Sequence, residues 1–193
     1  MARPRSEEAH RAALETTVDL LLEAGVEGVT LEEVAARSGV AKSTLYRHFE
    51  SREGLIAKAA RGCVVEHPTP DTGSLAEDLR FLFGRFNHKE EEQTLTQLLP
   101  LLIDAAKRDP DISAIVESVF AERKRPLRTV LQLAQLRGEI SHDLDLDTAL
   151  AIVVGPFTYR RLVEQREVTP DFIESVLNAA IAALRATASA PVA

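Results

Sequence analysis

The chain has 193 residues, 45% hydrophobic and 27% charged, with a net charge of −7, the balance of an ordinary globular protein of one or two packed domains. Its single cysteine, Cys63, excludes an internal disulfide framework and any multi-cysteine zinc site. No apolar run approaches the roughly 20 residues of a membrane span, and the start MARPRSEEAHRAALE lacks the apolar core of a signal peptide; the expectation is a cytoplasmic protein with no membrane partner.

Arg3 and Arg5 open the chain as a short basic arm, read as a charged tail or, alternatively, as a minor-groove finger. Leu14, Val18, Leu21 and Leu22 then form the apolar stripe of a first helix, closed by Gly25. Next comes the most informative string in the chain, TLEEVAARSGVAKSTLYRHFESREGL at 30–55. Thr30 with Glu33 makes a capping box, which starts a helix at Leu31. Leu31, Val34 and Ala35 face inward at i, i+3, i+4. Ser38-Gly39-Val40 breaks the helix, with Gly39 free to take the positive φ of a tight turn. A second helix over about Lys42 to Phe49 buries Leu45 and Phe49. Lys42, Ser43, Tyr46, Arg47 and His48 are left outside, donors of the kinds that reach DNA phosphates and base edges.

The charge agrees once it is divided. Residues 1–62 hold nine basic against ten acidic residues, a net of −1, and the remainder carries −6. Within 37–61 there are six basic residues and two acidic. Charges beyond a Debye length of about 8 Å are screened, so the local basic stripe is what DNA would meet.

These residues resemble the signature of the TetR-type one-component repressors, T-x-x-x-(I/V)-A-x-x-(A/S)-G-V-x-x-x-T-(L/F)-Y-x-(Y/H)-F-x-(S/N)-K-x-x-L. Thr30, Val34, Ala35, Ser38, Gly39, Val40, Thr44, Leu45, Tyr46, His48, Phe49, Ser51 and Leu55 match it. The resemblance covers about the first sixty residues. It implies an all-α chain: an N-terminal three-helix helix-turn-helix DNA-binding domain over 1–50, a connecting helix over 51–65, and a helical ligand-sensing and dimerisation domain over 66–193. The DNA-binding set is then Thr30, Lys42, Ser43, Thr44, Tyr46, Arg47, His48 and Arg52. Thr44 and Tyr46 would hold phosphates, and Lys42 and Ser43 would face bases. The chain departs from the pattern twice. Ala41 stands where Ser is frequent, which predicts a recognition helix without a side-chain cap. Arg52 replaces the usual Lys and offers a bidentate phosphate contact.

Ser51 caps the connecting helix, whose inner face holds Leu55, Ile56, Ala59 and Cys63, the last a small buried hydrophobe. EHPTPDTGS at 66–74 reads as a linker. Leu75, Leu79, Leu82, Phe83 and Phe86 make another stripe, followed by Leu95, Leu98, Leu99 and Leu102. Asp109-Pro110 caps a helix running through Ile112, Ile115, Val116, Val119 and Phe120. RGEISHDLDLD at 137–147 is similar to a turn in some TetR-type sensor domains. Asp143, Asp145 and Asp147 lack an EF-hand's Gly and Glu, so they read as turn residues and a cap rather than as calcium ligands. No cofactor or metal is implied. Pro100, Pro126 and Pro156 bend three helices, either to wrap a core or to make room for a ligand.

Two long helices close the chain, at about 147–164 and 170–186. On the first, Leu146, Leu150, Val153, Val154 and Phe157 share one face, and Thr148, Ile152, Gly155, Tyr159 and Leu162 the other. On the second, Ile173, Val176, Leu177, Ala180, Ile181 and Leu184 face inward, opposite Ser175, Ala179, Ala182 and Ala186. Two-faced helices need two partners, and a homodimer interface through Ile152, Gly155, Tyr159, Ser175, Ala179, Ala182 and Ala186 fits. Phe83, Phe86, Leu99, Phe120 and Phe157 with Arg161 at the rim form a candidate pocket for a hydrophobic, anionic effector. The expected function is a homodimeric repressor released from double-stranded operator DNA by an unknown small molecule. The alternatives are a ligand-independent DNA-binding dimer acting through architecture or protein partners, and a small helical enzyme. Against the enzyme stand the missing nucleophile–base pair, phosphate loop and metal cluster.

Overall fold

In the computed structural model, which describes residues 3–64, 68–84 and 90–187, the chain is helical, with no strand among the described residues. The helices are α1 (Arg3–Ala24), α2 (Leu31–Ser38), α3 (Lys42–Phe49), α4 (Arg52–Gly62), α5 (Leu75–Gly84), α6 (Glu90–Ala106), α7 (Pro110–Leu136), α8 (Leu146–Thr158) and α9 (Pro170–Ala186). A 3-10 turn, Val26–Gly28, follows α1, and a π turn, Tyr159–Val163, follows α8. Packing divides the chain into two compact units, Met1–Val65 with Lys89–Arg123, and Glu66–His88 with Lys124–Ala193.

In the first unit, α1 packs on α2, α3, α4 and α6. Its buried line is Ala13, Thr17, Leu20 and Leu21, spaced i, i+4, i+7, i+8. Leu22, expected inside, is 37% exposed, and Leu14 and Val18 lie at the margin of the core. The true stripe is hidden in sequence because one member is Thr17, whose hydroxyl is satisfied by the Ala13 carbonyl at 2.7 Å. Helix α1 begins at Arg3, so residues 3–5 are its first turn rather than an arm; Pro4 is tolerated there because first-turn N–H groups have no helical partner. The side chains of Arg3 and Arg5 lie outside the described residues. Leu98, Leu102, Ile112, Ile115, Val116 and Val119 complete this core, with Leu99 and Phe120 packed against it. Cys63 is buried, as its helical phase predicts.

In the second unit, α5 and α8 pack on α9. Leu75, Leu79, Leu82 and Phe83 meet Leu150, Val153 and Phe157 of α8 and Ile173, Leu177, Ile181 and Leu184 of α9 in one core. The RGE of the 137–147 segment ties this unit together. Arg137 bonds the fully buried Asp78 (3.1 Å), Glu139 (2.9 Å) and Asp71 (3.1 Å). Glu139 in turn accepts from the Leu75 backbone N–H and from Arg185. Asp145 caps α8 by accepting from the Thr148 N–H. Pro100 and Pro126 lie inside continuous helices, whereas three residues beyond Pro156 the i→i−4 ladder gives way to the π turn. Arg161 lies within that turn and is half-buried.

Candidate nucleic-acid interface

The sequence builds α2, its turn and α3 through local hydrogen bonds. Thr30 Oγ1 accepts from the Glu33 N–H at 3.0 Å, one half of the capping box. At the other end of α2, Gly39 takes φ 71° and donates its N–H to the Ala35 carbonyl, a left-handed cap that a side chain would strain. Ser38 fixes the same turn from two sides: its hydroxyl donates to the Val34 carbonyl at 2.6 Å and accepts from the Val40 N–H at 3.2 Å. Leu45 (0% exposed) and Phe49 (3%) then anchor α3 in the core.

Helix α3 starts without help. Ala41 offers no side-chain cap, as its replacement of Ser predicts. The exit from α3 is tighter. Glu50 turns the chain at φ 62°, and Lys58 of α4 donates to the His48 carbonyl at 2.6 Å while its ammonium lies 5.1 Å from the Phe49 ring centre. A Cβ at Gly54 would lie 2.3 Å from the Phe49 carbonyl oxygen, so α4 approaches the end of α3 at a distance only glycine permits. Sequence reading missed this role of Gly54, whose only signal was a glycine in the first turn of a capped helix.

Lys42, Ser43, Tyr46 and Arg47 stand exposed on α3, Tyr46 with 52% of its surface in solvent, and Thr44 and His48 are half-buried beside them. Thr30 is engaged as the α2 cap. Arg52 behaves differently. Its guanidinium reaches back to the loop after α1, donating to the Val29 carbonyl at 2.7 Å and to the Val26 carbonyl, with Glu53 3.2 Å away. Those bonds point it inward, at backbone oxygens, rather than outward as a free phosphate clamp.

Two further residues bear on this face without a signal in the motif. Glu32, in the first turn of α2, holds the Lys42 ammonium at 3.0 Å. That hydrogen bond keeps its carboxyl below the usual carboxylate range. His10 of α1 stacks on Phe49 (5.1 Å between ring centres) and sits edge-on to His48 at 6.0 Å. Burial, then the neighbouring Lys58 and His48, push the His10 pKa down.

The other expected site residues fall in separate places. Phe83 and Phe157 stack at 4.8 Å in the second unit's core, whereas Leu99 and Phe120 pack against the first unit's core. Phe86 lies outside the described residues, and Arg161 is half-buried in the π turn. Gly155, Tyr159, Ser175, Ala179, Ala182 and Ala186 are all exposed and Ile152 half-buried. No helix among the described residues is long and apolar enough to cross a membrane.

Comparison with known proteins agrees along most of the chain. Residues 13–59 match the family described as bacterial regulatory proteins, tetR family, and residues 69–180 match the Tetracyclin repressor-like C-terminal domain. The chain is 28% identical over 97% of its length to YdeS of Bacillus subtilis, an HTH-type transcriptional regulator of which it covers 95%. It is 28% identical over 81% of its length to the DNA-binding transcriptional repressor TetR of Mycobacteroides abscessus, covering 83% of that protein. Among solved structures, the Flavonoid-responsive Regulator FrrA superposes with a TM-score of 0.72 at 19% identity, over 92% of this chain and 95% of that one. With a helix-turn-helix built from its own caps and packing, and both halves matched, the chain belongs to the TetR family of bacterial transcriptional regulators.

Proposed function

We propose that the protein is a homodimeric cytoplasmic repressor that holds operator DNA through α3 and releases it when a small molecule binds. The observation that carries the DNA half is the face of α3. Lys42, Ser43, Thr44, Tyr46, Arg47 and His48 crowd one short helix whose opposite side is locked into the core by Leu45 and Phe49. Thr44 and Tyr46 donate to phosphates and set the docking register, and Lys42 and Ser43 meet base edges. The repressor relative from Mycobacteroides abscessus favours repression over activation.

Dimerisation is supported by an exposed strip that a monomer has no reason to keep apolar. Gly155 and Tyr159 of the α8 end and Ala179, Ala182 and Ala186 of α9 let two backbones approach closely, so that two such helix pairs form a four-helix interface. Paired copies place their recognition helices in successive major grooves, about 34–36 Å apart, and an effector that prefers another spacing lowers DNA affinity by linkage. The flavonoid response named for the structural neighbour is a precedent for such an effector, which here is hydrophobic and meets Arg161. One observation favours a ligand-independent dimer instead: Phe83 and Phe157 fill each other's faces at 4.8 Å, so an effector between them must part the stack.

Selection of bound duplexes from random DNA is the direct test. A recovered site with two related half-sites supports the dimeric reading, and recovery of no preferred sequence refutes it. On the selected duplex, Tyr46→Phe with Thr44→Ala weakens binding regardless of sequence. Sedimentation of Ala182→Arg gives a monomer if α9 forms the interface, because a buried unpaired charge there costs several kcal/mol.

A further inference from the structure

Lys42 is the first residue of α3 and the cation nearest its leading end, yet it is already committed, with its ammonium 3.0 Å from Glu32. Capping does not explain the acid. The α2 N-cap is satisfied by Thr30, and Glu33 already supplies a negative charge to the first turn. Glu32 is 60% exposed and Lys42 55%, so neither is held in place by packing. An exposed pair of this kind adds little to stability. A carboxylate beside the leading end of a DNA-reading helix opposes an approaching polyanion, so its presence calls for a role in binding.

We propose that Glu32 is a specificity-determining residue of the DNA interface, holding Lys42 as a base-directed donor and withholding it from the phosphate backbone. An ammonium has three N–H donors. One goes to Glu32, and two remain for the paired acceptors of a guanine edge in the major groove. A lysine neutralised by its own acid displaces no condensed counterion, so it adds nothing to the sequence-independent part of affinity. To grip a phosphate on unmatched DNA, Lys42 must leave Glu32 and expose a bare carboxylate to the backbone. Glu32 therefore penalises unmatched DNA more than matched DNA. This inference rests on α3 being the helix that meets DNA.

The test compares wild type, Glu32→Gln, Lys42→Ala and the double variant on two duplexes of equal length. One is a sequence the wild type selects from a random pool, and the other is of random sequence, each titrated across a salt series. Glu32→Gln is expected to melt like wild type and to bind the random duplex several-fold tighter. Its plot of log K against log salt steepens by about 0.9 for each additional phosphate neutralised, and its preference for the selected duplex falls. In the Lys42→Ala background the same change moves neither slope nor preference, because the lysine it acts through is gone. An unchanged slope and preference in Glu32→Gln overturns the inference and leaves the DNA reading intact. So does a parallel loss of melting temperature and of affinity for both duplexes, which marks Glu32 as structural. A wild type that does not distinguish the duplexes overturns the inference and the DNA reading together.

Discussion

Replacing Arg52 by alanine separates the phosphate contact that the motif assigns to it from the structural role that its backbone hydrogen bonds indicate. Its guanidinium donates to two backbone carbonyls of the loop after α1, Val29 at 2.7 Å and Val26. Both valines are buried, 0% and 5% exposed, so water replaces the lost donor poorly. A hydrogen bond from a charged donor contributes about 1.5–3 kcal/mol. The Arg52 side chain is 27% exposed, and the two bonds share one side chain, so the sum is discounted for screening and non-additivity to about 2–3 kcal/mol. For a chain of this length that lowers the melting temperature by about 5–10 °C. Arg52→Lys keeps one donor point and loses about half as much. Urea unfolding followed by circular dichroism reads the stability, and DNA titration well below the transition reads the binding. Arg52→Ala is expected to unfold at lower urea yet to bind the selected duplex within a few-fold of wild type. A variant that unfolds like wild type but loses DNA affinity refutes the reasoning and returns Arg52 to the phosphates.

Ala41→Ser supplies the cap that α3 lacks, at a backbone conformation (φ −59°, ψ 136°) suited to it, and raises stability by about 1 kcal/mol in urea titration. Stability falls on mild acidification through His10. Its pKa is lowered in the fold by burial, Lys58 and His48, so below the ordinary value of about 6.5 the unfolded chain takes up the proton first. The contribution is intact above that value and is lost as pH drops from it toward the depressed folded pKa. His10→Phe, which keeps the stack on Phe49, flattens the urea midpoint across pH 7.5 to 5.5. Arg137→Ala leaves the fully buried Asp78 without its cation, held only by Thr72, and costs about 3 kcal/mol; pairing it with Asp78→Asn recovers part of the loss, measured by the same urea titration.

What the sequence made legible is what local chemistry decides. Thr30, Gly39 and Ser51 cap or break helices through neighbours at most four residues away, and α3 and α9 run over the residues that caps and periodicity predict. The two faces of α8 followed from phase alone. Phase failed where one polar residue joined the buried line, as Thr17 does in α1. It also had no purchase on partners far along the chain. Arg52 finds carbonyls 23 and 26 residues back, and His10 meets His48 and Phe49 across the fold. The residues proposed for the pocket divide between the cores, Phe83 and Phe157 in one and Leu99 and Phe120 against the other, because hydrophobicity does not say which core a residue joins.

The basic stripe shows how far a count can stand from a surface. Six cations lie between residues 37 and 61, but most are spoken for inside the protein. Arg37 pairs with Glu23 and Glu33, Arg61 with Glu122 and Ser118, Lys58 holds the end of α3, and Arg52 holds the loop after α1. Lys42 is shared with Glu32, and of the six only Arg47 has neither an ion pair nor a side-chain hydrogen bond among the described residues. Those internal bonds are what place α3: they fix its exit, its supporting helix and the loop behind it. Much of the local positive charge therefore serves to position α3, and the proposed DNA contact is left to hydroxyl donors with Lys42 and Arg47. On that proposal the helix gains less from undirected attraction to phosphate and depends more on the match of Ser43, Thr44, Tyr46 and Lys42 to the groove, which is the balance a regulator needs when it must ignore nearly all of the DNA it meets.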